Sequence, residues 1–149
     1  SRMSYESGSG FSINLFAPLS ELGNISISPG SYSEIESMVK LSSSVADTAF
    51  VLRGSFINNI GFAVPVLFYV NEPLEFKAAA SDITMGNGAG ITALTTLDLS
   101  LLTTGITESM LSMATLTGGV LVISASSNTS IYNIMLSNCN TIDDVKFGN

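Results

Sequence analysis

The chain has 149 residues, the size of one domain, with a formal net charge of −7 and no histidine. Hydrophobic residues make up 46% but charged residues only 11%, where about a quarter is usual; 24 Ser and 12 Thr fill the gap. A disordered chain would show the opposite balance, so the composition implies a folded protein with a surface of hydroxyls and amides, and the missing histidine excludes Ser-His-Asp and Cys-His catalysis, histidine metal centres and the usual pH switch near neutrality.

Residues 1–10 are polar, Gly/Ser-rich and without the apolar stretch of a secretion signal. They read as a flexible lead-in to a single domain over 11–149. Phe11, Ile13 and Leu15 then alternate with polar residues, as do Ile25 and Ile27, and Pro29-Gly30 reads as a turn. Ser33 to Leu41 splits cleanly: Ile35, Val39 and Leu41 share one face, and Glu34, Glu36, Met38 and Lys40 share the other. This is a strand with one wet face. Ala49–Leu52 and Ser55–Ile57 read as short strands around Gly54, closed by a turn at Asn58-Asn59.

Phe62 to Val70 is apolar on both faces. Phe62, Val64, Val66, Phe68 and Val70 lie on one side; Ala63, Pro65, Leu67 and Tyr69 lie on the other. Pro65 cannot donate to a ladder and belongs at an edge or bulge. A two-sided apolar strand of this kind fits a strand lying against a neighbouring subunit. Phe62, Val64, Val66 and Phe68, or the opposite face, are therefore the candidate interface. Leu74 to Ala78 alternates again, with Glu75 and Lys77 outward. Residues 81–90 read as a loop, 91–102 as β-leaning, and 107–116 as the single helix, capped by Thr107. Val120–Ser124 and Ile131–Leu136 read as the last strands, followed by a polar tail at 143–146. About nine short strands and at most one helix fit an all-β antiparallel sandwich or jelly roll.

Chemistry is sparse. Gly86, Gly88 and Gly90 form a Gly-rich loop, but no Lys-Ser/Thr follows, so the phosphate-loop pattern fails and no cofactor is expected. Glu34 and Glu36 have a spacing that paired carboxylates can use, yet solubility explains them. Asp143-Asp144, or Asp82 with Asn87, is a thin oxygen set for calcium. Asn24 and Asn128 head glycosylation-type triplets that chance supplies in so Asn- and Ser-rich a chain. Cys139 has no basic neighbour to activate it, so the thiol reads as inert. The basic residues Arg2, Lys40, Arg53, Lys77 and Lys146 are scattered, which argues against nucleic acid and anionic membranes. The apolar run from Ile60 to Val70 is too short to span a bilayer as a helix.

Few surface charges permit burial against other copies at low desolvation cost. From Ser109 to Ile142 no residue is charged, so that stretch belongs in a core, an interface or a hydroxyl-covered surface. The expectation is a non-catalytic structural or attachment domain of an extracellular particle such as a virus or phage. It would assemble as a homo-oligomer, most readily a trimer, and meet a cell-surface glycan or protein receptor through its loops. A secreted lectin-like module is the alternative, with Tyr5, Tyr32, Tyr69 and Tyr132 as the aromatics for sugar.

Overall fold

A computed structural model describes residues 12–24, 26–44, 48–88 and 90–148. The expected lead-in at 1–10, Phe11, Ile25 and Ala89 lie outside them. The chain divides into two compact units, one of 1–35 with 80–90, the other of 36–79 with 91–149. The protein is mostly β, with seven strands among the described residues: β1 (Gly30–Leu41), β2 (Phe50–Ile57), β3 (Ala63–Val70), β4 (Leu74–Met85), β5 (Thr92–Leu97), β6 (Leu121–Ile123) and β7 (Asp143–Gly148). They form three sheets, β1-β4, β2-β3-β6 and β5-β7.

In the first unit the expected strand at Ile13 and Leu15 is a turn. Phe16 N–H donates to Asn14 Oδ1 at 3.0 Å, and Ala17 N–H donates to the Asn14 carbonyl at 3.0 Å. Asn14 captures the backbone in an Asx turn, and that local bond beats the alternating pattern. Residues 81–85 are also strand rather than loop: β4 continues to Met85, which is buried. Asp82 takes a left-handed φ of 56° there, a conformation Asp tolerates better than most residues. Both β1 and β4 contribute to each unit. β1 keeps its wet face, with Glu34, Glu36, Met38 and Lys40 exposed and Ile35, Val39 and Leu41 half-buried.

The second unit holds the three-stranded sheet. β2 and β3 are one hairpin, antiparallel and in unbroken register from Phe50↔Val70 to Ile57↔Ala63. Gly54 does not divide β2 in two. β6 joins the far side of β3 in parallel, but only at Val66, Leu67 and Phe68. Pro65 therefore sits where β3 has no ladder partner on that flank, which is where a missing N–H costs least. The parallel pair departs from the purely antiparallel expectation.

Ile131 to Leu136 is helix, not strand. The helix α2 spans Thr129–Asn138. Its β-branched and aromatic content suggests a strand, but Ile131, Tyr132, Met135 and Cys139 are all buried, a helical spacing of one, three and four residues. Tertiary burial decides the matter against local propensity. The helix expected at 107–116 exists as a shorter α1, Glu108–Ser112, and Thr107 Oγ1 accepts from Met110 N–H at 3.2 Å as its N-cap. The stretch after β5 turns into a 3-10 helix, Leu99–Thr103, begun by Asp98, whose Oδ1 accepts from Ser100 N–H at 3.0 Å. The polar tail is β7, paired antiparallel with β5.

The uncharged stretch supplies much of the core. Leu121, Ile123, Ile131, Tyr132, Met135, Cys139 and Ile142 are buried there, against Phe50, Phe68 and Val70 of the hairpin. Phe68 meets Phe50 edge-on at 6.0 Å and Tyr132 at 6.1 Å between ring centroids. Each such side chain contributes about 1.5–3 kcal/mol by leaving water.

Candidate functional site

Strand alternation gives the sheet β2-β3-β6 two unlike faces. Directly paired residues point the same way, so Phe50, Leu52 and Phe56 share a side with Val64, Val66, Phe68, Val70, Leu121 and Ile123. This is the core face, tied to α2 through the Phe68–Tyr132 contact. The other face carries Val51, Arg53, Ser55 and Ile57 with Ala63, Pro65, Leu67, Tyr69 and Val122. None of these nine is buried. Val51 is 40% and Ile57 62% exposed, and Arg53 is the one charge among them.

The hairpin tip is exposed as well. Asn58 Oδ1 accepts from Ile60 N–H at 3.2 Å and Phe62 N–H at 2.9 Å. Asn58 N–H in turn donates to the Phe62 carbonyl at 2.9 Å, and Gly61 turns the chain with a φ of 86°. The loop is thus built by one amide side chain, and it holds Ile60 and Phe62 outward at 71% and 66% exposure. The four residues singled out from the sequence do not form one surface. Phe62 projects from the tip, Val64 and Val66 are half-buried, and Phe68 is core at 1% exposure. The surface is the opposite side of the same run, continued by Val51, Ile57 and Val122. What points to it in the sequence is the alternation of the 62–70 run; its continuation onto β2 and β6 requires the pairing register.

A concavity of about 440 Å³ lies between α1 and the start of α2, lined by Met110, Met113, Asn128, Thr129, Ser130 and neighbours. Asn128 gives it structure. In a left-handed conformation (φ 50°, ψ 48°) it precedes α2. Its Oδ1 accepts from Thr115 N–H at 3.0 Å, and its Nδ2 donates to the carbonyls of Thr115 at 2.9 Å and Val122 at 2.7 Å. Both amide hydrogens are committed, so this triplet serves the fold and leaves no hydrogen for a glycan. Asn138 does the same at the other end of α2, donating to the carbonyls of Leu102 and Thr104, each at 2.9 Å.

Glu34, Glu36 and Asp82 are exposed; Asp143 and Asp144 point to opposite sides of β7, and Asp144 pairs with Lys146 at 3.3 Å. Among the described residues no group of three or more His, Cys, Asp or Glu side chains could hold a metal ion. The space around Gly86, Gly88 and Gly90 is open. Cys139 is buried, and burial pushes its thiol up to about 11, away from reactivity. Of the tyrosines, Tyr32 donates to the Ser28 carbonyl at 2.6 Å and Tyr132 is buried; Tyr69 is half-buried on the bare face. Tyr5 lies outside the described residues. Among those residues no helix is long and apolar enough to cross a membrane. No family model, curated protein or solved structure matches the chain.

Proposed function

We propose that the chain is a non-catalytic structural or attachment domain that assembles with copies of itself, of the kind carried on the outside of an extracellular particle such as a virus or phage. One observation carries the reading: a well-formed sheet with one face in the core leaves its other face apolar and bare. Apolar sheet faces of this kind mark interaction surfaces. The chain's low charge supports it, because such a surface is buried without stranding unpaired ions. The sandwich or jelly-roll architecture belongs to the same reading, since a further layer over the bare face would make a sandwich of this sheet. Receptor contact, with a glycan or a protein, falls to the loops.

Size-exclusion chromatography with light scattering tests the proposal. The expected result is a stable multiple of the 15.6 kDa chain mass, falling to the single chain when Val51→Lys and Ile57→Lys put like charges on the bare face. A clean monomer at high concentration overturns it.

A further inference from the structure

We infer that two copies of this chain join through β2, edge to edge and antiparallel about a two-fold axis at Gly54, to make one continuous six-stranded sheet. The inference rests on the self-assembly reading and names its contact. Among the described residues β2 is the outermost strand of its sheet, with β3 on one side only. An open edge presents a row of unpaired N–H and C=O groups, and proteins that must stay single blunt it with lysines, prolines or bulges. β2 contains no Lys and no Pro, Arg53 is its one charge, and its eight residues pair with β3 without interruption. The strands β1, β4 and β7 each carry a lysine. β6 has three residues, and β5 offers Leu94 as its one large exposed apolar side chain.

The residue order of β2 is complementary to itself. With the axis at Gly54, Val51 lies opposite the partner's Ile57 and Leu52 opposite the partner's Phe56. Arg53 lies opposite the partner's Ser55, and the two glycines face each other. Apolar groups meet apolar groups, which is the favourable pairing across two strands. The cation meets a hydroxyl. Moving the axis to residue 53 sets two arginines directly opposite, which is repulsive. Moving it to residue 55 sets Ile57 against the partner's Arg53. Shifting by half a step swaps faces, so that the bare side of one copy continues the covered side of the other. Gly54 suits the axis for a second reason. Nothing lies within 4 Å of where its Cβ would be, and glycine inside a strand often marks close approach of another backbone. The resulting contact is isologous and closed, a dimer in place of the trimer the composition favours, and it doubles the bare face into one surface.

Cross-linking with a short bis-thiol reagent tests the register in the full chain. Val51→Cys and Ile57→Cys are made separately on the bare face, where both positions are exposed, and the buried Cys139 makes the unaltered chain the blank. A mixture of the two variants is expected to cross-link up to about half of its pairs, the share of mixed pairs on random association. Neither variant alone should cross-link, because like positions lie six residues apart, about 20 Å along the strand. Light scattering on the same samples separates the two claims. A mixture that stays uncross-linked in an oligomeric protein, or single variants that cross-link to themselves, overturns this contact and leaves self-assembly standing. A monomer overturns both.

Discussion

The two faces of the sheet β2-β3-β6 are built from alternate residues of the same strands, yet they differ in fate. Phe68 is 1% exposed, while Pro65 and Ala63 on the neighbouring side are open to solvent. The difference is not apolar content, since Val51, Ile57, Leu67 and Val122 are as apolar as the core. It is that an element of the chain's own, α2, lies over one side. Hydrophobicity alone does not decide what a monomer buries; topology supplies a cover for one face and withholds it from the other. An apolar residue at the uncovered face is then available for association.

Truncating each face in turn breaks or sharpens this comparison. Phe68→Ala removes the ring that meets Phe50 and Tyr132 and should cost about 3–5 kcal/mol in urea unfolding. Val51→Ala on the bare face should cost well under 1 kcal/mol in dilute protein. Equal losses would mean that the bare face is covered in the single chain. The helix that makes the covered face different hangs on Asn128. Asn128→Ala removes three hydrogen bonds to Thr115 and Val122 and the residue type that best tolerates the left-handed turn. A loss of about 2–3 kcal/mol is expected. Asn128→Gly keeps the backbone freedom and should recover part of it. If both variants are neutral, the amide clamp does not hold α2 in place.

Much of this was legible beforehand, for identifiable reasons. β1 and the start of β4 were readable because each has one wet and one apolar face, so alternation names the strand and its orientation at once. The cap at Thr107 and the turn at Asn58 were readable because a single side chain makes them. The start of the chain misleads because Asn14 bonds its own backbone. Helix α2 misleads because Ile, Tyr and Ile at 131, 132 and 134 carry strand propensity, and only the burial of Ile131, Tyr132, Met135 and Cys139 in the fold reveals the helical repeat. The clamps of Asn128 and Asn138 were invisible, since their partners lie up to 36 residues away. The absence of histidine excluded whole classes of catalysis, whereas the choice of surface on the 62–70 run needed the register to β2 and β6.

The smallest expected effect concerns what the covered face pays for its polar atoms. Tyr132 Oη is buried without a hydrogen-bond partner, although the Glu72 carboxylate is near enough to act on it. Burial first, and then Glu72, hold its proton well above the usual phenol range. Cys139, beside it in the core, is raised by burial to about 11. Both groups release their protons more readily in the unfolded chain than in the folded one. Their neutral forms therefore stabilise the fold fully below the unfolded values, and that contribution is lost as pH rises through the folded ones. Thermal melts should fall from about pH 9 upward, the ordinary thiol value, and the first part of the fall should shrink in Cys139→Ala. Tyr132→Phe removes the unpartnered hydroxyl and should leave the protein at least as stable at pH 7, by up to about 1 kcal/mol. A destabilised Tyr132→Phe would show that the hydroxyl has a partner after all, and Glu72→Gln would then lower stability alongside it.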